Sequence, residues 1–583
     1  MRFDRDRPTP SRLSAEAAEP LPRVALFLLL LAFGLPGVFG HDLWPEDASA
    51  FGRMWTMAHG AAADWWFPNV AGQATPQDGP FPFWLGAASI RAFGGWFGDI
   101  AASRLPVLVW FAAAALSLWG ATRRLATGER AQPLAPAFGR ETEPGDYARL
   151  LADISVLLLV STLGLLLTVH LTSADTVSVA VVAAALYGLS LAPERPIAGA
   201  ALAGLCAGAF AISRHDLPAT SLVGGCIAGL ALCARSRRAG WVSALVCFAC
   251  SQVVSVFALL IALWQIPGAA IPAVWQWPSA LHSTDKLLTR SDAIWLLRNA
   301  TWYAWPLWPL ACWSLYAWRH HLRAAHIALP ASVLAGLVLA VVFSAPLNEA
   351  KLVPLIAPLA VLAAFGFPTL RRTLEQWVDW FAIAVYTLFI LYVWAYFLAL
   401  VTGTPRAMAA SVLRLIPGHH PGASLIPLAL ALVVTGQWVA LIVWRVHSRP
   451  RVLWRGALLS AAGVTSLWLI AVALFLPAAD YNRSYRVLSE QVGRRVPHGE
   501  CVAAAGLSTP LRAIVAYYGH VHFARDNAAG SCRIALQAQY RRSAAAPPLP
   551  EDPSGSWTLL WEGRRPVRSD ETWRLWRLAR LNN

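Results

Sequence analysis

The sequence predicts an all-α polytopic membrane protein that carries a small α/β domain at its C-terminal end. Three observations carry that expectation. Of 583 residues, 57% are hydrophobic and only 14% are charged, where soluble domains carry roughly a quarter charged residues. Apolar runs long enough to cross a bilayer, about twenty residues each, recur from residue 24 to about residue 478. From Ala479 onward the chain becomes less apolar, Arg-rich and mixed in pattern.

Residues 1–23 are charged and read as a cytoplasmic tail. A signal peptide is the competing reading. It is set aside because no clear small-residue cleavage site precedes His41 and many apolar runs follow. Residues 24–478 then form a transmembrane domain of about thirteen spans, near 24–40, 104–122, 150–169, 176–193, 197–213, 218–234 and 241–265, and near 302–318, 327–344, 352–370, 378–401, 424–446 and 455–477. With the N-terminus inside, the basic clusters Arg123–Arg124, Arg195, Arg235–Arg238, Arg319–Arg323, Arg371–Arg372 and Arg445–Arg455 all fall on one side. That is the positive-inside pattern. The net charge of +15 therefore reports topology, and no nucleic-acid partner is expected. An odd number of spans places residues 479–583 outside.

In that tail, Glu500–Leu507, Ser531–Leu536 and Trp557–Trp561 read as strands and Thr509–Tyr518 as a helix, with a Pro-rich linker over Ala544–Pro553. Cys501 and Cys532 are its two cysteines. A disulfide in an oxidising compartment and two unpaired strand cysteines are equally compatible with the sequence. The other six cysteines lie in or beside apolar runs, where they read as small buried hydrophobes. No zinc or redox spacing is present.

The segment 41–100, between the first two spans, is the first outer loop. Phe51–Trp66 and Pro82–Phe97 are rich in Trp and Phe and read as helices lying in the interface plane. Glu46 and Asp47 place two carboxylates beside the bilayer, where a carboxylate is able to serve as general base or stabilise developing charge. The bland alternative is a pair of solvated loop acids. Asp175 stands at the outer mouth of the fourth span, where an N-cap role is the alternative. Arg214 and His215, beside Asp216, and then Lys351 add positive charge at the same face, suited to a phosphate. Snorkelling anchors are the alternative, although an outside Lys351 runs against the positive-inside rule. The loop 266–300, with His282, Asp285, Lys286, Arg290 and Arg298, lies on this side too.

These residues resemble the GT-C integral-membrane glycosyltransferases of the protein O-mannosyltransferase and aminoarabinose (lipid A) transferase superfamily. The resemblance rests on Leu43-Trp44-Pro45-Glu46-Asp47 with Phe51, on Asp64-Trp65 and Pro68, and on Asp78-Gly79-Pro80 before Phe83-Trp84, closed by Phe93-Gly94. It continues with Asp175 at the fourth span, loosely with Ser213-Arg214, and with Lys351-Leu352 before Pro358. Three positions depart from the family: Ala48 replaces the usual Glu after the catalytic Asp, Gly79 replaces a Lys, and Leu355 replaces a Tyr. The resemblance implies a GT-C fold and an inverting transfer of a sugar from a polyprenyl-phosphate donor to a lipid, glycolipid or protein acceptor, on the periplasmic side of a bacterial inner membrane. It makes Asp47 and Asp175 the catalytic residues, with Glu46, Arg214, His215 and Lys351 binding substrate. No metal ligand is assigned, and participation of a divalent metal stays open. A flippase of lipid-linked sugars would string charges along a through-pathway. An O-antigen ligase or polymerase would carry its large outer loop late in the chain. Both remain alternatives.

Overall fold

The computed structural model describes the chain apart from residues 1–8, 76–77, 135–140, 214–216, 235, 266–287, 345–346, 421, 423, 449–451, 526–531, 541–546, 550–554 and 581–583. Its first half runs α1 (Arg23–Gly34), α2 (Pro45–His59), α3 (Phe81–Phe97), α4 (Asp99–Ala126), α5 (Pro144–Val160), α6 (Leu165–Thr168), α7 (Ala174–Leu191), α8 (Pro196–Ala211), α9 (Leu217–Cys233) and α10 (Arg237–Gln265). Each of the thirteen apolar runs holds a helix, but fewer of these helices have full spanning length. Among the described residues, eight are long and apolar enough to cross a membrane, and Arg23–Gly34, Pro196–Ala211 and Thr220–Cys233 are shorter apolar helices. The run 150–169 shows why. Ser161 and Thr162 turn their hydroxyls back onto the carbonyls of Leu157 and Leu158, and such back-bonding competes with the helix ladder. Here α5 ends and α6 resumes after a turn.

Contacts sort the interspan segments into two ends, in the same partition as the basic clusters. At one end Leu134 N–H donates to the Ser11 carbonyl at 2.9 Å, and Trp454 Nε1 donates to the Glu19 carbonyl at 2.9 Å. Arg124 pairs with Glu194, and Arg445 and Arg455 share Asp379 at 2.8 and 2.6 Å. At the other end Gly79 N–H donates to the Ser213 carbonyl at 2.9 Å, and Asp42 N–H donates to Asp480 Oδ1 at 2.9 Å. Between the ends the helices approach closely over small residues. A Cβ at Gly204 in α8 would stand 2.3 Å from the Cys247 carbonyl of α10.

The C-terminal domain is a five-stranded sheet of β3 (Cys501–Ala505), β4 (His522–Phe523), β5 (Ile534–Tyr540), β6 (Gly555–Arg565) and β7 (Arg568–Arg580), in the order β4-β3-β5-β7-β6. A short hairpin in the first loop, Asn69–Val70 with Gln73–Ala74, supplies β1 and β2. β3 runs parallel to both its neighbours, and β7 pairs antiparallel with β5 and β6. Cys501 and Cys532 are disulfide-bonded.

This domain sits on the loop between the first two spans. α2 starts at Pro45, with the Asp47 carboxylate capping back onto the Trp44 N–H, and it carries two apolar stripes. Ala48 and Phe51 join Leu43 and Val70 in a core with Leu488, Leu511, Ile514 and Leu536 of the C-terminal domain. Ala50, Met54 and Met57 face the bundle, against Phe83 and Ala87 of α3 and Ala174 of α7. The crossing with helix Thr509–Tyr518 is tight. A Cβ at Gly52 would lie 2.8 Å from that of Ala513, so α2 needs glycine there.

Candidate active site

Asp47 is the third residue of α2, and its side chain is 1% exposed. Its Oδ1 accepts the Trp44 N–H at 2.9 Å, and its Oδ2 accepts Arg104 Nη2 at 2.9 Å. Arg104 enters from the first turns of α4 and is itself buried. The same guanidinium donates to the carbonyls of His41 and Asp42, both at 2.9 Å. One arginine thus fixes the chain as it leaves the first span. Burial pushes the Asp47 carboxyl up to about 6, against the pull of Arg104 and of the Trp44 N–H. Burial pushes the His41 imidazole down to about 4, and the Arg104 charge adds to this. Near neutral pH the pair is an ionised Asp47 beside an uncharged His41. The His41 ring rests on Trp44, 4.0 Å between centroids, and its Nε2 is buried without a partner.

In front of this network opens a cavity of about 380 Å³, lined by His41, Asp42, Phe97, Arg104, Asp480 and Tyr517 among others. Asp47 does not line it. The carboxylates that do are Asp42 and Asp480. Asp480 comes from the last apolar helix, Arg455–Arg483, and accepts both the Asp42 N–H and Trp44 Nε1 (2.8 Å). Asp42 accepts the Ser484 hydroxyl at 2.7 Å. Leu43 N–H donates to the hydroxyl of Tyr518, at 3.0 Å. Arg104, Asp42 and Asp480 carry no motif. A signal was present for Arg104, an arginine at the end of a span opposite the basic clusters.

The other expected residues that are described, Glu46, Asp175 and Lys351, lie at the same end with different surroundings. Glu46 is exposed, 3.6 Å from Arg483. Asp175 is half-buried in the first turn of α7, its N–H donating to the Ser173 hydroxyl at 3.2 Å, and the adjacent Ala174 packs against α2 and α3. Lys351 is half-buried on the turn Glu349–Lys351, where its ammonium donates to the Ser344 carbonyl. The next turn, Val353–Leu355, packs on α7. Arg214 and His215 lie outside the described residues, as do His282, Asp285 and Lys286. The first loop reaches Ser213, the residue before Arg214, through Gly79. Buried Arg53 braces that stretch by bonding Thr75 at 2.9 Å and Asp78 at 3.0 Å, with its guanidinium 5.0 Å from the Phe83 ring centre. Among the described residues no group of three or more His, Cys, Asp or Glu is placed to hold a metal ion.

An apolar helix bundle, a first loop folded into helices and an α/β domain seated on that loop together are consistent with the GT-C membrane fold, in a multi-pass membrane protein. No protein-family model matches the sequence, and no curated protein sequence matches it. Solved structures match by fold. A crystal structure of ArnT from Cupriavidus metallidurans bound to undecaprenyl phosphate superimposes with a TM-score of 0.62, over 95% of this chain and 96% of that one at 14% identity. The apo form of the same protein gives a TM-score of 0.56 at 16% identity, over 85% and 83% of the two chains.

Proposed function

We propose that this chain is an inverting glycosyltransferase. It moves a sugar from a polyprenyl-phosphate donor to an acceptor at the end of the bundle that carries the first loop, and that end is the periplasmic face of a bacterial inner membrane. The observation that carries this reading is the fold shared along nearly the whole chain with a protein bound to undecaprenyl phosphate. The Cys501–Cys532 bond supports the compartment, since disulfides persist in oxidising surroundings.

In the reaction the acceptor oxygen bonds to the anomeric carbon, the bond from that carbon to the phosphate oxygen breaks, and the lipid phosphate leaves. The acceptor proton passes to Asp47, which is ionised above about pH 6 and suited to general-base work near neutrality. In the described state Asp47 is sealed behind Arg104. A phosphate offers the guanidinium a bidentate partner, so an arriving donor draws Arg104 off Asp47, and the loss of that charge raises the proton affinity of the carboxylate, which then takes the acceptor proton. Asp175 positions the acceptor, Lys351, Arg214 and His215 hold the lipid phosphate, and Glu46 faces the outer mouth.

The test is sugar release from undecaprenyl-phosphate-linked sugars by the purified protein in detergent, with a membrane extract as acceptor source. Asp47→Asn and Asp175→Asn are each expected to lose at least about a hundredfold in rate, the range of a general-base contribution, with unfolding midpoints near that of wild type. Full activity in both variants would overturn the assignment. No release with any donor, while labelled lipid still crosses vesicles, would point to a flippase.

A further inference from the structure

A second cavity, of about 640 Å³, lies wholly in the C-terminal part of the chain, within the roughly 300–1,000 Å³ range of ligand sites. Its walls come from the ends of helices Arg486–Gly493 and Thr509–Tyr518, with Arg494, and from two loops that the sheet places side by side. Val496 to Glu500 precedes β3, Gly519 to Val521 precedes β4, and these parallel strands pair Cys501 with His522. Gly493 and Gly519 bring the backbones into contact on one side, where a Cβ at Gly493 would stand 2.2 Å from the Gly519 carbonyl.

The lining is polar and holds His498, His520 and His522 together with Glu490, Glu500 and Tyr518. The carboxylates already have cationic neighbours. Glu490 binds Arg486 at 2.9 Å, and Glu500 lies 4.0 Å from Arg577. Glu500 Oε2 is nevertheless buried without a hydrogen bond among the described residues. The three imidazoles are exposed to the groove and make no hydrogen bond with the described residues. A neutral imidazole offers one donor and one acceptor, and a carboxylate offers acceptors alone. Together they suit a molecule that presents hydroxyls in pairs along its length.

This groove lies beside the first cavity. Tyr517 lines one and Tyr518 the other, with ring centres 5.2 Å apart. Arg486 lies over Tyr518 at 5.6 Å and links the two, reaching Asp42 of the first cavity at 3.5 Å and Glu490 of the second. We infer that the groove binds the distal sugars of an oligosaccharide acceptor whose reacting residue occupies the first cavity. The inference rests on the transferase reading and narrows its acceptor to a glycan. A lipid-linked donor does not fit the groove, because its sugar is tethered one phosphate away from the bilayer, whereas the groove is built by the outer domain.

The probe is a set of short soluble oligosaccharides, neutral and acidic, titrated by calorimetry into the full-length protein in detergent. Wild type is compared with His498→Ala/His522→Ala and with Glu500→Gln. At least one oligosaccharide is expected to bind wild type and to bind each variant about tenfold or more weakly, as loss of one or two hydrogen bonds predicts. Sugar release from the donor to water is expected to be unchanged. The substituted histidines are exposed, and equal unfolding midpoints will show that the fold persists. Equal binding to wild type and variants, or no binding by any oligosaccharide in protein that releases donor sugar, would overturn the groove. Groove-dependent binding in protein that releases no sugar from any donor would keep the groove and remove the transferase.

Discussion

Replacing Arg104 by methionine isolates what the buried pair does. The substitution keeps most of the apolar stem and removes the donors that hold Asp47, the His41 carbonyl and the Asp42 carbonyl. Removing one partner of a buried ion pair costs about 3–5 kcal/mol, and part of that loss is pH-dependent with a sign the structure sets. The Asp47 carboxyl is raised from 3.8 to about 6, so its contribution to stability is complete below the lower value and is lost as pH rises through the higher. At 1.36 kcal/mol per pH unit, wild type at pH 7 already carries a deficit of about 3 kcal/mol relative to acid. Without Arg104 both of the largest opposing influences vanish, the carboxyl is pushed further up, and the deficit at pH 7 grows by about 1 kcal/mol for each pH unit of that rise up to pH 7. At pH 5 Asp47 is mostly protonated in either protein. The destabilisation is therefore about 1 kcal/mol larger at pH 7 than at pH 5. Thermal unfolding in one detergent, wild type beside variant at both pH values, measures the difference. A loss that is the same at both, or larger at pH 5, would refute the reasoning. Adding Asp47→Asn to Arg104→Met should recover stability at pH 7, because the amide oxygen keeps the Trp44 cap and leaves no charge to bury.

His41 gives the opposite slope. Its folded value of about 4 lies below the ordinary 6.5, so its contribution is present above 6.5 and is lost as pH falls through 4. That amounts to about 3 kcal/mol over the window. His41→Gln should lose less unfolding midpoint than wild type between pH 7 and pH 4.5, and a steeper loss would count against a buried neutral imidazole. For the cysteines, denaturing alkylation of unreduced protein should label six of the eight, and all eight after reduction. Cys501→Ser/Cys532→Ser should lower the stability of the C-terminal domain by about 3–4 kcal/mol, as expected for releasing a closed loop of a few tens of residues. Labelling of eight without reduction would remove the bond.

The parts of the structure legible in the sequence are those written in local pattern. Twenty-residue apolar runs and one-sided arginines marked the bundle and its two ends, and Phe-rich and Trp-rich stretches marked α3 and the second half of α2, whose first turn with Glu46 and Asp47 begins six residues before the predicted Phe51. Of the sheet, β3, β5 and the middle of β6 read as strands, and β7 escaped. Its alternation of buried Glu571, Trp573 and Leu575 with Thr572, Arg574 and Trp576 has a buried acid where a hydrophobe is expected. That acid is satisfied by Tyr485 and Trp573, at 2.8 and 2.7 Å. Asp47 and Asp175 could be singled out because they follow recognisable strings. The residues that enclose the first cavity could not. Asp42 meets Asp480 across 438 positions of sequence, and no local window holds both.

That long closure bears on why charge is placed here at all. The segment from His41 to Asp47 is held by α4 through Arg104, by the last apolar helix through Asp480, and by the C-terminal domain through Tyr518. An apolar segment would have packed in the same place at lower cost, since replacing a buried ion pair by hydrophobic side chains is often neutral or stabilising. The ionic version buys no stability, and burial works against Asp47 ionising. What it does provide is a carboxylate whose charge depends on one guanidinium, beside a cavity that also takes that guanidinium as wall. A ligand phosphate that engages Arg104 changes the state of Asp47 in the same step. On the transferase reading, donor arrival and the rise in Asp47 proton affinity would be a single event, which a chain of independent solvated acids would not provide.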